Sequence, residues 1–411
     1  MAQHPFLKSI RPVNLLSFGP NTEEIELKPL NILIGPNGSG KSNLIEILGL
    51  LSKLSDKDPW SKVRETGGAR EWIWKGKGAG SKQNLLSATT TAEKVSVFSG
   101  RDAEKSLLYS IGLWAGDGAF AVMTERFLEI VDGEDGTLAN QNTYDRDERD
   151  SVQQPTSTAM LFAEPGPKLP LGRSVLSMIG NVPSLTTSQP RIIEFADNLA
   201  RFAFYREWTF GAGSKSRSLE RAGSETTFLD EDSGNLAHVL NFILTHQNQE
   251  PGEKLRKAFQ AFSDDAKEIE TRFQEGFVQL RVREASGIST PASRLSDGTL
   301  RWLALLAILL NPVPPPVTCI DEPELGLHPD ILPTLADLLV EASTRTQLIV
   351  TTHSSALVDA FSDDPESVCV CEKVDGSTVI RRLARERLEV WLKDYSLGHL
   401  WASGEIGGNR W

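Results

Sequence analysis

The chain has little cysteine and no long apolar run, and these absences exclude several classes of protein. Its 411 residues include three cysteines, Cys319, Cys369 and Cys371, whose spacing matches neither a zinc site nor a redox pair. We therefore expect buried thiols in a reducing compartment. The longest apolar stretch, residues 303–310, is far shorter than the roughly 20 residues that span a membrane. The first residues lack the features of a signal peptide, so the sequence predicts a cytoplasmic protein without a membrane partner.

The charge balance is acidic and the composition is that of an ordinary globular protein. Lys and Arg number 43 and Asp and Glu number 55, which gives a formal net charge of −12. An acidic chain is a poor non-specific binder of nucleic acid, although a local basic patch is compatible with this balance. The length suits two or three domains of about 100–200 residues each, and no internal repeat is found.

Residues 35–42 form a complete phosphate-binding loop (P-loop) between a predicted strand and a predicted helix. The sequence Gly-Pro-Asn-Gly-Ser-Gly-Lys-Ser follows the apolar run 31–34, and apolar residues recur behind it at helical spacing. Glycines let the backbone wrap an anion, and N–H groups at a helix N-terminus point toward it. The predicted ligands are ATP and Mg²⁺. The predicted nucleotide-binding residues are Asn37, Gly38, Ser39, Gly40, Lys41, Ser42 and Asn43.

A second motif, residues 317–324, supplies the acids that such a site needs. Four strand-like residues lead into Asp321 and Glu322, the arrangement of a Walker B element. Two adjacent acids usually lie on a solvated surface, but the apolar lead-in and the upstream P-loop favour a functional role. Asp321 is predicted to hold Mg²⁺ together with the Ser42 hydroxyl. Glu322 is predicted to polarise the water that attacks the γ-phosphorus.

The segment Leu-Ser-Asp-Gly, residues 295–298, precedes an apolar helix shortly before the Walker B strand. It resembles the signature loop of ABC-type ATPases, which binds the γ-phosphate of the nucleotide held by a second subunit. The predicted residues in trans are Ser296, Asp297 and Gly298. The alternative interpretation is an ordinary helix N-cap formed by Ser296 or Asp297. A cap does not need Gly298, and the position before Walker B favours the signature interpretation.

His353 ends the strand-like segment that follows Walker B. A lone histidine is usually uninformative, but ABC-type ATPases place a switch histidine at this point, where it contacts the γ-phosphate. With Lys41 and Glu322 it completes the predicted catalytic residues. The other histidines lack such a position, and we assign them no chemistry.

The order of these motifs resembles that of the predicted prokaryotic AAA-family ATPases of the ABC/SMC/RecF type, in a compact subfamily. Residues 15–19, 234–236, 395–398 and 407–411 are also similar to that subfamily. The resemblance implies an α/β P-loop NTPase fold with an ABC-ATPase-like head that is discontinuous in sequence and carries an inserted irregular and helical region. It further implies a homodimer around two ATP molecules, in which each signature loop completes the other subunit's site. Related ATPases act in DNA repair, chromosome maintenance and anti-phage defence, often with a separately encoded nuclease or toxin.

The predicted organisation has three parts. Residues 1–130 are the N-terminal part of the ATPase head, with short strands around the P-loop helix, and residues 291–411 are its C-terminal part. Residues 131–290 are the insertion, including a helical and strand lobe. Within it, the acidic residues 132–150 are predicted to form an exposed loop or a partly disordered insertion, and residues 254–273 an amphipathic helix. The alternating apolar residues at 278, 280 and 282 predict a half-buried strand.

The sequence also departs from the wider family. No heptad repeat is sustained, so long coiled-coil arms are not expected. The only aspartate after residue 375 is Asp394, which argues against a built-in Toprim nuclease. Gln83 is a candidate for the Q-loop glutamine of ABC ATPases. Arg217 lies where the subfamily tends to carry an arginine, and it is either a binding residue or part of a solvated face.

Three functions stay open at this stage. The favoured one is an ATP-driven dimerisation switch that controls a separately encoded protein effector. The second is a RecF-like DNA-binding repair ATPase, which the acidic balance disfavours mildly. The third is the nucleotide-binding subunit of a transporter, which the long insertion and the motif at residues 321–329 disfavour.

Overall fold

The computed structural model describes residues 6–76, 84–96, 102–115, 119–132, 138–147, 173–181, 190–223 and 227–408. These residues form an α/β structure, as the sequence predicted, with three sheets. The helices are α1 (Lys41–Lys53), α2 (Ser61–Glu65), α3 (Pro190–Ala200), α4 (Leu236–Thr245), α5 (Glu250–Phe262), α6 (Asp297–Leu309), α7 (Leu332–Ala342), α8 (Ser355–Asp359), α9 (Arg385–Leu388) and α10 (Leu397–Ser403). The strands are β1 (Leu7–Val13), β2 (Ile25–Glu26), β3 (Leu30–Ile34), β4 (Asn84–Ser96), β5 (Asp102–Ala115), β6 (Phe120–Asp132), β7 (Leu138–Asp147), β8 (Ala203–Tyr205), β9 (Glu220–Arg221), β10 (Ala266–Gln274), β11 (Phe277–Glu284), β12 (Ser289–Pro291), β13 (Val317–Asp321), β14 (Gln347–Thr351), β15 (Val368–Val374) and β16 (Ser377–Arg382).

The central sheet has the strand order β16-β15-β3-β14-β13-β8. Its strands run parallel except β16, which pairs antiparallel with β15. The P-loop strand β3 lies between β14 and β15, so strands that are far apart in sequence meet at its two edges. Strand β8, from within the predicted insertion, pairs with the Walker B strand β13.

Both faces of this sheet are covered, which explains why its strands are apolar throughout. Alternate residues of β3 belong to different cores: Ile32 and Ile34 pack in the core around α6, and Leu33 packs in the core around α1. Every residue of β3 and of β14 is buried. Parallel strands with helices or a second sheet on both faces typically read as continuous hydrophobic runs. Cys319, Cys369 and Cys371 belong to the α1 side and are free and buried, as predicted.

The second sheet is antiparallel, with the order β2-β1-β4-β5-β6-β7. Of two expectations for the chain before residue 150, one is wrong in part and one is wrong. Strands β1, β2 and β3 are short, as predicted, with 7, 2 and 5 residues, but β4, β5 and β6 have 13, 14 and 13 residues. The predicted acidic loop at 132–150 contains strand β7, which pairs with β6 from Thr124 to Asp132. Backbone pairing forms this strand without the apolar alternation that signals a strand in a sequence.

The third sheet packs beside α4 and α5 and has the order β10-β11-β12, with β9 paired to β11. Strand β11 confirms the half-buried strand that the alternation predicted, because Val278, Leu280 and Val282 are buried. The helix predicted for residues 254–273 is wrong in its second half. Helix α5 ends at Phe262, and β10 follows it. None of the helices in the described residues is long and apolar enough to cross a membrane.

Candidate functional site

The P-loop connects β3 to α1 through backbone conformations that side chains other than glycine rarely adopt. The φ angle is +148° at Gly35 and +107° at Gly40. A Cβ atom on Gly35 would lie 2.2 Å from the carbonyl oxygen of Cys371, and one on Gly40 would lie 2.1 Å from Thr378 Oγ1. At Gly38, φ is +78° but no atom lies within 4 Å of an added Cβ. Conformation and close packing therefore both require glycine at the two ends of the loop.

Helix α1 presents its N-terminus to the loop. Its N-cap residue Gly40 supplies no side-chain hydrogen bond to the first turn, whose N–H groups have no partner one turn earlier in the helix. Ser39 is 2% exposed, and its hydroxyl has no hydrogen-bond partner within the described part of the chain. Lys41 is buried and donates from Nζ to the carbonyl oxygens of Gly35 (2.7 Å) and Pro36 (3.3 Å). These donors and this cation suit a phosphate group.

The Walker B acids lie at the carboxyl end of β13, beside the end of β14. Asp321 ends β13, and its carboxylate accepts a hydrogen bond from the Thr351 hydroxyl at the end of β14. Burial lowers the pKa of Lys41, whereas Glu322 and Asp321 act in the opposite direction together with Cys371. The two acids therefore lie close enough to the Lys41 ammonium to interact with it electrostatically.

The backbone of Glu322 is strained, and hydrogen bonds hold it in place. Its φ angle is +47°, in the left-handed region, which costs a non-glycine residue about 1 kcal/mol. Its N–H donates to the carbonyl oxygen (3.1 Å) and hydroxyl oxygen (3.2 Å) of Thr351. The side chain of Glu322 lies 3.5 Å from His353, measured from Oε1 to Nε2. The strain therefore occurs at the residue predicted to be the base.

His353 follows β14 and is positioned by Glu324. The carboxylate of Glu324 accepts hydrogen bonds from the His353 N–H (2.9 Å) and the Thr352 hydroxyl (2.7 Å). Burial and the nearby charge of Lys41 lower the pKa of His353, although Glu322, Glu324 and Asp321 act in the opposite direction. A lowered pKa keeps the imidazole neutral at pH 7, so it has one donor and one acceptor nitrogen.

The signature segment forms a capped helix start. Ser296 is the N-cap of α6, and its Oγ accepts from the Thr299 N–H at 3.0 Å and lies 2.8 Å from Thr299 Oγ1. The capping that the alternative interpretation predicted is therefore present. A Cβ on Gly298 would lie 3.1 Å from the carbonyl oxygen of Gly326, in the loop after Walker B. Tight packing against that loop gives Gly298 a role that a cap alone does not require.

Arg217 holds the signature segment from the side. Its Nη1 donates to the carbonyl oxygens of Leu295 (2.6 Å) and Ala292 (3.2 Å), and its Nη2 forms an ion pair with Asp297. Nε donates to the carbonyl oxygen of Phe210 at 2.8 Å. The Arg217 side chain is 11% exposed, so it is not part of a solvated face.

The structure brings together most of the residues that the sequence predicted. Lys41, Asp321, Glu322 and His353 converge at the carboxyl ends of β3, β13 and β14, which are adjacent in the sheet. Within the described residues, no hydrogen bond joins the signature segment to the P-loop of the same chain. Gln83 lies outside the described residues.

A magnesium ion fits the donors at this edge. No cluster of three or more His, Cys, Asp or Glu side chains suited to a metal occurs in the parts of the chain that the structure describes. One carboxylate, Asp321, and one exposed hydroxyl, Ser42, are the few protein oxygens that Mg²⁺ uses when phosphates supply other ligands.

Five further residues support the site through contacts that the sequence did not predict. Thr351 and Glu324 hold the acids and His353, and Thr378 Oγ1 donates to the carbonyl oxygen of Ser39 at 2.8 Å. Arg301 and Trp208 donate to the backbone carbonyl oxygens of Glu322 and Asp321 within Walker B. The one available signal was Arg301 itself, a lone charge inside the apolar helix α6. The other contacts depend on tertiary structure and leave no pattern in the sequence.

Comparison with known proteins agrees with this geometry. The family described as "AAA domain, putative AbiEii toxin, Type IV TA system" matches residues 30–359. Among solved structures, the SMC head bound to the C-terminal winged-helix domain of ScpA has a TM-score of 0.52 at 14% identity and covers 93% of this chain and 99% of its own. The SMC heads of Pyrococcus furiosus, bound to the C-terminal domain of ScpA, and Thermotoga maritima have TM-scores of 0.47 and 0.42, at 13% and 15% identity. They cover 95% and 92% of this chain and 99% of their own chains. A search of curated proteins finds no match.

Fold and site together define a P-loop ATPase with an SMC-head-like fold. Because the family match spans most of the chain, the protein belongs to the AAA-domain family named above. At 14% identity the SMC likeness shows the fold alone, and it confirms the predicted P-loop NTPase class.

Proposed function

We propose that this protein is a switch that binds and hydrolyses ATP and that dimerises in its ATP state. One observation carries the proposal: Lys41, Asp321, Glu322 and His353 converge at the carboxyl ends of three adjacent parallel strands. Ligands of open α/β sheets bind at this edge of the strands.

Each residue has one task in the proposed reaction. The Lys41 ammonium moves from the carbonyl oxygens of the P-loop to the β- and γ-phosphates, where a charge-assisted contact replaces neutral ones. Glu322 accepts a proton from the attacking water. The neutral His353 donates a hydrogen bond to the γ-phosphate from a position fixed by Glu324. Mg²⁺, held by Ser42 and Asp321, would neutralise charge on the phosphate oxygens.

The signature residues Ser296, Asp297 and Gly298 act in trans in this proposal. They form a second phosphate-directed helix start in a chain that already has a P-loop, and within the described residues the two loops share no hydrogen bond. A head-to-tail homodimer with two shared ATP molecules gives both loops a ligand. The SMC head with a TM-score of 0.52 is bound to a winged-helix domain of ScpA, which supports a separate protein partner for this chain as well.

The variant Glu322→Gln tests the switch. The amide keeps the shape of the side chain but cannot accept a proton, so hydrolysis falls by about 10²–10⁴-fold while ATP affinity is retained. Light scattering of this variant is expected to show a monomer without ATP and a dimer with ATP and Mg²⁺. Hydrolysis at the parental rate would show that Glu322 is not the base. An unchanged oligomeric state in protein that demonstrably binds ATP would exclude the shared sites.

The output of the switch is a further part of the proposal. ATP shifts an equilibrium only through contacts that differ between two states, so hydrolysis changes the affinity for a partner. We propose a separately encoded protein effector, in genome maintenance or anti-phage defence, and a prokaryotic cytoplasmic location. Nuclease or toxic activity of the purified single chain that no ATPase substitution abolishes would contradict this part. A salt-dependent shift of DNA by the ATP-bound chain would favour the RecF-like alternative instead.

The three-part division of the chain, 1–130, 131–290 and 291–411, also stays a proposal. Strand β8 is the part of the middle segment that reaches the ATPase sheet.

A further inference from the structure

A buried arginine joins the signature helix to the Walker B backbone. Arg301, on α6, is 8% exposed and donates from Nη2 to the carbonyl oxygen of Glu322 at 3.0 Å. Its Nε is buried without a hydrogen-bond partner among the described residues. Burial lowers the pKa of Arg301 to about 10, so the guanidinium stays charged at neutral pH. A buried cation in this position needs compensation, and a carbonyl oxygen supplies part of it.

The nearby charges of Glu324 and Glu322 also favour the charged Arg301, and Trp208 contacts both this guanidinium and the backbone of Asp321. The Arg301 guanidinium lies over the Trp208 ring, 4.8 Å from its centroid, which is cation–π distance. The Trp208 Nε1–H donates to the carbonyl oxygen of Asp321 at 2.8 Å. Tyr205 and Phe210 each stack on Trp208, with centroids 6.1 Å and 5.9 Å away. The ring is therefore held by its own neighbours.

The two side chains hold two consecutive carbonyl groups. Trp208 binds the carbonyl of Asp321 and Arg301 binds the carbonyl of Glu322, while Thr351 binds the Glu322 N–H. These bonds surround the one backbone position of the Walker B motif that has a positive φ angle. A left-handed conformation at a glutamate persists where the surroundings over-determine it.

We propose that Arg301, supported by Trp208, is a positioning residue that aligns the Glu322 carboxylate and transmits the state of the signature loop to it. The inference rests on the proposed role of Glu322 as the base. Arg301 lies five residues after Ser296 on the same helix, and it lines one groove with Asp297 and Gly298. If phosphate binding moves the N-terminal end of α6, the Arg301 side chain moves with it and displaces the Glu322 carbonyl.

Steady-state ATPase kinetics of Arg301→Met, Arg301→Lys and Trp208→Phe test the inference. Met at position 301 keeps the buried aliphatic part of the side chain but loses the charge. Lys keeps the charge but loses the planar guanidinium group. Phe at position 208 keeps an aromatic ring but loses the Nε1–H donor. We expect kcat to fall about 10- to 100-fold in both Arg301 variants, because small misplacements of catalytic groups have such effects. Trp208→Phe is expected to have a smaller effect. KM and the affinity for a fluorescent ATP analogue should stay within about threefold, since no P-loop contact changes.

Arg382→Met is the matched control. Arg382 also has a buried Nε that has no partner in the described part of the chain, and it donates to the carbonyl oxygen of Glu366 and to Asn31 at 2.7 Å and 2.6 Å. It lies on β16 and contacts none of the site residues described above. Its substitution removes comparable buried contacts and should leave kcat unchanged. A melting temperature for each variant identifies any that does not fold, and Trp208→Phe and Arg301→Lys carry the test if Arg301→Met fails.

A double variant separates positioning from mere packing. If Arg301 acts through Glu322, single-turnover hydrolysis by Arg301→Met/Glu322→Gln equals that of Glu322→Gln alone. A further fall by the same factor, or an unchanged kcat in the folded Arg301 variants, overturns the inference and leaves the proposed function intact. Parental hydrolysis by Glu322→Gln overturns the proposed base and this inference with it.

Discussion

The P-loop and the signature segment both begin helices and both face phosphate in the proposed mechanism, yet they are built differently. In the P-loop, Asn37, Gly38 and Ser42 are exposed, whereas Ser39, Gly40 and Lys41 are buried. The N-cap Gly40 gives the first turn no side-chain bond, and the buried Ser39 hydroxyl stays unpaired among the described residues. At the signature, Ser296 already caps the Thr299 N–H and Arg217 already pairs with Asp297.

The difference separates a loop that needs a ligand from one that does not. Unpaired buried donors cost free energy, so the P-loop is completed by an anion. The signature segment is satisfied within its own chain. It can hold its conformation while exposed, and in the proposed mechanism it meets phosphate only when a second molecule delivers it.

The largest expected effect is the loss of ATP affinity when the P-loop cation Lys41 is removed. Lys41→Ala takes away the buried ammonium and a charge-assisted phosphate contact, so we expect ATP affinity to fall about 100-fold. Calorimetric titration with ATP and Mg²⁺ measures this. The control is Lys53→Ala on the last turn of the same helix, where the lysine pairs with Asp56 and is half exposed. Equal ATP affinity in the two variants would show that Lys41 does not contribute to ATP binding.

Two substitutions at Ser296 distinguish its capping role from its proposed contact with phosphate. Ser296→Ala removes the cap and should cost about 1 kcal/mol of folding stability. Ser296→Asp keeps a capping oxygen but places a negative charge toward phosphate, so stability stays near that of the parent while ATP-dependent dimerisation is lost. Thermal unfolding and light scattering measure the two effects. A dimer that still forms with Ser296→Asp would argue against the in-trans role.

The smallest expected effect is a pH dependence at His353. The pKa of this histidine lies below its ordinary value of 6.5, so it stays neutral as the pH falls toward 6.5 and protonates only below that. We expect kcat/KM at pH 6.5 to stay within about twofold of its value at pH 7.5, with the acid limb below pH 6.5. His353→Gln should lack that limb, because glutamine does not titrate. If kcat/KM instead falls with a midpoint above pH 6.5, and does so in His353→Gln as well, another group causes the fall.

Local patterns predicted the parts of the site that depend on local chemistry. The strand, P-loop and helix around Lys41, the Walker B strand and the strand before His353 lie where apolar runs and glycine spacing placed them. Their arrangement at one sheet edge follows from parallel strand order, which the family resemblance implied.

Contacts between distant segments could not be predicted in this way. Thr351, Glu324 and Trp208 act through backbone groups that carry no sequence signal. Strand β7 is polar, so hydropathy indicated a loop where backbone pairing forms a strand. The helical periodicity of the sequence continues past residue 262, whereas α5 ends at Phe262 and β10 begins at Ala266.

The placement of β3 between β14 and β15 has a consequence for how the protein folds. Leu33 pairs with Thr351 on one side and Cys369 on the other, so each contact closes a loop of more than three hundred residues. Such long-range pairings form slowly, because closing the loop costs chain entropy before any contact is gained. During synthesis the P-loop leaves the ribosome long before its two neighbouring strands exist. The nucleotide pocket is thus a late product of folding, and ATP binding reports that the sheet has closed.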